Sequence, residues 1–262
     1  YIDGDTIVLD YQNAQGDSSA LLTISQRFVG DDCDLVLAIG TGAAQSIASQ
    51  TSEIPVLITA VTDPVDAGLV QSSEAPGTNV TGTNDMNPIR EQMELIREFL
   101  PDVQTVGLLY TSSEDNSALQ IQEVTAVLEE MNVGYVEQTV TGSNDVQQAV
   151  QSILGKCDAL YIPTDNTLAA SAALVGSAAQ TAKIPVFWGE GNCVAEGGLA
   201  SLGLDYYNLG RQTGEMAVEV LEGADPAVMP IQSQSDYSYT ISKSMAEEIE
   251  IEIPKHLLEF AE

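Results

Sequence analysis

Two α/β lobes, each built on a doubly wound parallel sheet, are the fold that this 262-residue sequence predicts. Three observations lead to this prediction. Short runs rich in Val, Ile and Leu alternate with longer stretches of helical spacing along the chain. The short runs are apolar at consecutive positions, which is typical of parallel strands covered by helices on both faces. A segment of the first half is also repeated in the second half, so we expect two similar units.

The predicted strands are short apolar runs separated by polar segments. They are TIVLDY at 6–11, DLVLAIG at 34–40, IPVLITAV at 54–61, TVGLLY at 105–110, DALYIP at 158–163, IPVFWG at 184–189 and LASLGL at 199–204. One further strand, GYVEQTV, comes before the second copy of the repeated helix.

The predicted helices follow from apolar residues that recur every three or four positions. They cover 87–100, 116–131, 144–154, 167–182 and 206–222. In the first of them, Ile89, Met93, Ile96 and Leu100 form one stripe. Pro88 suits the start of that helix, and Pro101 marks its end.

The internal repeat consists of two similar segments, CDLVLAIGTGAAQSIA from Cys33 and CDALYIPTDNTLAASA from Cys157. Each copy has a strand, a turn with Thr and an Ala-rich helix, and each is followed by Ile-Pro-Val. The second copy also has an earlier strand and helix, at 105–131, to which nothing in the first copy corresponds. We therefore expect the first strand-helix unit of lobe 1 to be absent from residues 1–262. Upstream residues, or a segment swapped from another copy, would fill that central position.

Lobe boundaries follow from the same pattern. Lobe 1 is predicted to contain 1–83 and about 206–222, and lobe 2 to contain 84–205. The segment 223–262 is assigned to neither lobe.

Strong acidity excludes several classes of protein. The chain has 8 Lys and Arg against 39 Asp and Glu, a formal charge of −31. Binding to nucleic acid or to an anionic membrane surface needs clustered basic residues, so neither is expected. No apolar run is long enough to span a membrane. With one His and three Cys that lack metal-binding spacing, we expect neither a metal site nor a cofactor.

The loops at the carboxyl ends of the parallel strands are the expected binding region. They contain several acidic residues and no Lys or Arg, which predicts a ligand with an ammonium group and at most one carboxylate. The start of the helix after Gly40 would hold that carboxylate, and Asp165 would pair with the ammonium. The candidate ligand-binding residues are Thr41, Gly42, Ala43, Thr62, Asp63, Asp85, Tyr110, Ser112, Asn116, Asp165, Asn166 and Glu190.

Structural roles compete with these assignments. Asp165, Asp63 and Thr41 are also suited to capping the helices that follow them. Ser112 and Asn116 are likewise suited to capping a helix. Tyr110 and Trp188 are also suited to the core, and Glu190 to the solvated surface.

Specific segments carry a family resemblance: YQNAQGD at 11–17, IPVLITAVTDPVDAGLV at 54–70, NVTGTNDMNPIREQMELI at 79–96, YIPTDN at 161–166 and DYYNLGRQTGEMAV at 205–218. From Tyr1 to about Pro254 the chain resembles ABC-transporter substrate-binding proteins of the tryptophan-binding type. The resemblance implies a type I periplasmic-binding-protein fold, a small amino-acid ligand that is often aromatic, and an ABC permease as partner. It also implies an extracytoplasmic protein without enzymatic activity, anchored by a lipid upstream of Tyr1.

Two other functions stay open at this point. A ligand-sensing effector domain of a receptor or regulator would have the same two-lobed fold. An enzyme of the racemase or amidase type could use Cys193 as nucleophile, although the sequence offers no His to activate it.

Overall fold

The computed structural model of the chain describes residues 1–262, whose strands form two separate sheets. The strands are β1 (Val36–Ile39), β2 (Val56–Val61), β3 (Val80–Asn84), β4 (Thr105–Thr111), β5 (Gly134–Val140), β6 (Ala159–Ile162), β7 (Val186–Trp188), β8 (Ala200–Leu204) and β9 (Tyr237–Ile241). The helices are α1 (Ser18–Gly30), α2 (Thr41–Ala48), α3 (Ile89–Phe99), α4 (Asp115–Glu130), α5 (Val146–Leu154), α6 (Asn166–Ala169), α7 (Ala172–Ala182), α8 (Tyr206–Leu221) and α9 (Lys243–Glu248).

The first sheet has three parallel strands in the order β1-β2-β3. Helices α1 and α2 cover one face, where Ile47 packs with Val56 and Ile58. Helix α8 covers the other face, where Met216 packs against Leu57. Successive residues of β2 thus point to opposite faces and are buried on both, as a doubly wound parallel sheet requires.

The second sheet has six strands in the order β5-β4-β6-β7-β8-β9, and only β9 is antiparallel. Its largest core lies against α3 and α4 and includes Leu108, Tyr161 and Phe187. The opposite face packs against α5 and α7 through Leu109 and Trp188, among others. The predicted two-sided α/β architecture is therefore confirmed in both sheets.

The chain passes between the two sheets three times. It leaves β3 for α3, and it leaves β8 for α8, which packs on the first sheet. It passes back after Gln232, which forms a bridge with Thr83, and then enters β9 beside β8. The predicted lobe boundaries themselves stay predictions. None of the helices combines the length and the apolarity of a membrane span.

The strand predicted at 6–11 is wrong. These residues form only a turn and irregular backbone, with one isolated bridge from Ile7 to Asp3. The physical reason is that no neighbouring strand pairs with them, and Val8 is exposed. Strand β1 pairs with β2 alone. The absence of a first strand-helix unit stays a prediction.

Two other expectations need correction. The helix predicted at 167–182 is interrupted after Ala169, so that α6 and α7 are separate. Strand β3 was not among the predicted strands. Its residues extend the first sheet because their backbone continues to pair with β2 up to Asn84.

Candidate functional site

Three loops of the first sheet come together at the carboxyl ends of its strands. Gly40 N–H donates to Thr59 O (2.9 Å), which places the start of α2 beside the end of β2. On the other side of β2, Asp85 N–H donates to Val61 O (3.2 Å). The segments that follow β1 and β3 therefore flank Thr62, about 10 Å apart if each strand spacing is about 4.8 Å.

The first turn of α2 offers backbone donors. Its N-cap residue is Gly40, with φ 88°, and no side chain accepts a hydrogen bond from the first turn. Thr41 is 4% exposed, and its hydroxyl has no hydrogen-bond partner among the protein atoms. Gly42 and Ala43 follow in the same turn. An uncapped helix start with a buried free hydroxyl suits a carboxylate.

Asp85 is the most deeply buried acidic residue of this region, with 1% of its surface exposed. Its Oδ2 accepts a 2.7 Å hydrogen bond from the hydroxyl of Tyr206, while Oδ1 has no partner among the protein atoms. Burial, together with the charge of Glu190, raises its pKa to about 6, although the hydroxyls of Tyr206 and Thr62 act in the opposite direction. Asp85 is thus a buried carboxyl near another carboxylate.

A buried polar network from the second lobe faces the same region. Gln120, on α4, is fully buried and donates to Thr62 Oγ1 (3.4 Å). Its Oε1 accepts from Asn87 (3.2 Å) and from the backbone N–H of Thr164 (3.3 Å). Asn87 also donates to the Thr164 hydroxyl (2.7 Å). The network joins both lobes to the segment that connects them.

Asp165, the residue predicted to bind the ammonium, uses both carboxylate oxygens within lobe 2. Oδ2 accepts from Thr111 N–H (2.6 Å), and Oδ1 accepts from the Thr111 hydroxyl (2.8 Å) and Leu168 N–H (2.9 Å). Burial and the charge of Glu114 raise its pKa. This is the geometry of a helix cap, and a contact with ligand stays a prediction.

Other predicted residues also have structural partners. Asp63 accepts from the backbone N–H groups of Val65 (2.8 Å) and Asp66 (3.0 Å), as a turn cap does. Asn116 donates to Thr164 O (2.9 Å). Asn166 donates through its side chain to Glu114 (2.8 Å).

Tyr110 and Ser112 lie outside the converging loops. The Tyr110 hydroxyl donates to Glu137 on the neighbouring strand (2.9 Å), and burial and this carboxylate raise the pKa of Tyr110 to about 12. Ser112 is exposed, and its hydroxyl donates to Val140 O (3.3 Å). Neither position shows the free polar group that Thr41 and Asp85 have.

The sequence reasoning missed three residues of the site. Tyr206 lies two residues after the predicted strand at 199–204, so its position near a strand end was a usable signal. Asn87 lies between β3 and α3, in the segment that connects the two sheets. Gln120 lies in the middle of a predicted helix, and nothing in the sequence distinguishes it from a surface glutamine.

The two lobes touch across the mouth of the cleft. Gln45, on α2, donates to Asp115 Oδ2 at the start of α4 (3.0 Å). Together with the contact between Gln120 and Thr62, this defines a closed arrangement of the lobes. Fold and site therefore define a two-lobed solute-binding protein whose cleft lies at the carboxyl ends of two parallel sheets.

Comparison with known proteins identifies the family. The sequence matches the ABC transporter substrate binding protein family over residues 1–262, and the chain belongs to that family. It is 39% identical over 252 residues to a tyrosine-binding protein of Clostridioides difficile, covering 96% of this chain and 73% of the relative. Members of this family are extracytoplasmic substrate-binding proteins.

Two solved structures of relatives differ in ligand state: one contains a bound amino acid, and the other is ligand-free and open. The ABC domain of Streptococcus pneumoniae in complex with L-Trp has a TM-score of 0.96 at 40% identity, covering 99% of this chain and 88% of that one. A ligand-free, open substrate-binding protein from Clostridium difficile scores 0.73 at 40% identity, covering 97% and 86%. At equal identity, our structure superposes more closely on the ligand-bound relative than on the ligand-free, open one. Our structure has the arrangement of the ligand-bound relative.

Proposed function

We propose that this protein binds an aromatic L-amino acid between its lobes and delivers it to an ABC permease. The observation that carries the proposal is the structural match to the L-Trp complex, at a TM-score of 0.96. The relationship to a tyrosine-binding protein supports the same class of ligand. Attachment by a lipid upstream of Tyr1 and the absence of catalysis belong to the same proposal.

The geometry of α2 supports an amino acid with a single carboxylate. Its uncapped first turn and the unpartnered hydroxyl of Thr41 can donate to one carboxylate. No Lys or Arg stands in the converging loops, so phosphate, sulfate and citrate would meet acidic side chains without a basic counterpart. The remaining charge of the ligand is therefore expected to be positive.

A thermal-shift screen of the twenty amino acids, followed by calorimetry, tests the proposal. A ligand at 100 times its Kd stabilises the folded protein by about 2.7 kcal/mol, which moves the melting temperature measurably. We expect tyrosine, tryptophan or phenylalanine to give the largest shift, and citrate and phosphate to give none. Absence of any amino-acid shift, or tight binding of a multivalent anion in the cleft, would overturn the proposal.

A further inference from the structure

We infer that Asp85, and not Asp165, is the specificity-determining residue that binds the ammonium group of the ligand. The inference rests on the proposed function and names the residue on which the preference for an amine depends. Both carboxyls are buried at the ends of strands, with exposed fractions of 1% for Asp85 and 2% for Asp165. Their hydrogen bonds separate them.

The carboxylate of Asp165 is satisfied by its own lobe. Three donors from Thr111 and Leu168 occupy its two oxygens at 2.6–2.9 Å. An ammonium group would have to share or displace these bonds. Asp85 has one oxygen bonded to Tyr206 and one, Oδ1, without a hydrogen-bond partner, although the nearby Thr62 hydroxyl acts to lower the pKa of this carboxyl. Leaving such an oxygen buried without a partner is costly, which makes a cationic donor strongly favourable at that atom.

The surroundings of Asp85 contain no compensating cation. The charged group that acts on it is Glu190, which follows β7 in lobe 2. Tyr206, at the start of α8, is the other titratable group that faces it, and burial and the Asp85 charge raise the pKa of Tyr206. Two carboxyls without a basic side chain attract a cation from outside the protein.

Position supports the same assignment. Asp85 and the start of α2 lie on opposite sides of the end of β2, about 10 Å apart by strand spacing. In an α-amino acid, ammonium and carboxylate are attached to one carbon. Adding a hydrogen bond of about 2.8 Å at each end gives a span of comparable length. One zwitterion can therefore bridge Thr41 and Asp85.

The decisive experiment compares two ligands in the wild type and in three variants. Calorimetry would measure binding of L-tyrosine and of its deaminated analogue, 3-(4-hydroxyphenyl)propanoate, to the wild type and to Asp85→Asn. We expect wild type to bind the analogue at least 100-fold more weakly than tyrosine, and Asp85→Asn to bind both with similar low affinity. Asp165→Asn tests the alternative ammonium partner, and its affinity for L-tyrosine should fall less than threefold. Glu219→Gln, on the exposed face of α8, controls for the change of net charge.

Folding does not confound the comparison of Asp85→Asn with wild type. Replacing a buried carboxylate that lacks a full set of partners is expected to leave the ligand-free Asp85→Asn protein at least as stable as wild type at pH 7.5. Equal binding of tyrosine by Asp85→Asn and wild type overturns the inference alone, as does a 100-fold loss in Asp165→Asn. Failure of wild type to bind any amino acid overturns the proposed function as well.

Acidity gives an independent readout. Only ionised Asp85 attracts an ammonium, and burial in the closed arrangement raises its pKa to about 6. Affinity should therefore fall about tenfold as the pH drops from 7 to 5. The stability of the ligand-free protein changes in the opposite sense. Folding raises the pKa of Asp85 above its ordinary value of 3.8. The contribution of Asp85 to the free energy of unfolding is therefore fully present below pH 3.8 and is lost as the pH rises through 6. A flat affinity profile between pH 5 and 7 contradicts the inference.

Discussion

The two copies of the internal repeat place similar sequences in different surroundings. In lobe 1, β1 pairs with β2 only, whereas in lobe 2 the corresponding strand β6 lies between β4 and β7. Counting from Cys33 and Cys157, Leu37 corresponds to Tyr161. The exposed fraction is 47% for Leu37 and 0% for Tyr161. Apolar sequence therefore specifies a strand in both lobes, but its burial depends on the neighbouring strands.

The same counting pairs Thr41 with Asp165. Asp165 caps α6 and also accepts two hydrogen bonds from Thr111, at the end of the adjacent strand β4. Thr41 has no adjacent strand on that side of β1, and its hydroxyl lacks a partner. In lobe 2 this position serves the structure, whereas in lobe 1 the hydroxyl has no partner among residues 1–262.

The largest expected effect comes from truncating the two equivalent core positions. Tyr161→Ala removes a fully buried ring and leaves Gln92 without the hydroxyl that donates to it (2.6 Å), so it should cost about 3–5 kcal/mol of unfolding free energy. Leu37→Ala should cost less than about 1 kcal/mol because the side chain is half exposed. Chemical denaturation of both variants measures the difference. Similar costs would mean that the outer edge of β1 is covered in the folded protein.

Asp165→Asn is the next largest change and tests the structural role of the second copy. The amide nitrogen of Asn cannot accept the hydrogen bond from Thr111 N–H, so one buried donor loses its partner. We expect a loss of about 1–3 kcal/mol of stability. Thr111→Val, which removes only the hydroxyl bonded to Oδ1, is the matched variant and should cost less. A fully stable Asp165→Asn protein would contradict the cap assignment.

Much of the fold could be predicted from the sequence because both lobes follow one local pattern. The predicted apolar runs between 34–40 and 199–204 form strands, and each of them pairs with at least one other strand. TIVLDY at 6–11 has the same composition and did not, since no neighbouring strand pairs with it. Strand β9 lies in the segment 223–262, which was left unassigned. Its Tyr237 and Ser238 are exposed and lack the apolar pattern of a central strand.

The site was less accessible to prediction. Position at a strand end led to Asp85, Thr41 and Thr62, which the fold brings together, and their contact with a ligand stays a prediction. The choice of Asp165 as the ammonium partner could not be tested without knowing that Thr111 saturates it. Gln120 reaches Thr62 only because α4 of one lobe faces the other lobe in the closed arrangement. Such contacts depend on tertiary geometry, which residue type and spacing do not contain.

Thr41→Val should have an effect of similar size, and it should act on binding alone. The hydroxyl has no protein partner, so the ligand-free variant is expected to keep or slightly exceed wild-type stability. Loss of one hydrogen bond to a ligand carboxylate corresponds to about 1.5–3 kcal/mol at most, or roughly ten- to hundredfold in affinity. Calorimetry with L-tyrosine gives the affinity, and thermal melting gives the stability. Destabilisation without a change in affinity would show that Thr41 supports α2 only.

The smallest expected effect concerns the mouth of the cleft, where the two lobes meet. Partial desolvation of Glu123, on α4, and the charge of Asp63, after β2, raise the pKa of Glu123. Closure therefore brings carboxylates of both lobes together. Glu123→Gln removes one of them, and surface pairs of this kind contribute about 0.2–1 kcal/mol. We expect ligand affinity to rise by no more than about fivefold at 0.05 M NaCl.

Salt distinguishes this repulsion from a change in packing. Raising NaCl to 1 M shortens the screening length from more than 10 Å to about 3 Å, so the advantage of Glu123→Gln over wild type should disappear. Wild-type affinity should rise with salt over the same range, because screening removes the repulsion that the substitution removes. Glu94→Gln, on the exposed face of α3, makes the same charge change away from the mouth and should show no advantage. If Glu123→Gln and Glu94→Gln respond to salt alike, the net charge of −31 and not the facing pair controls closure.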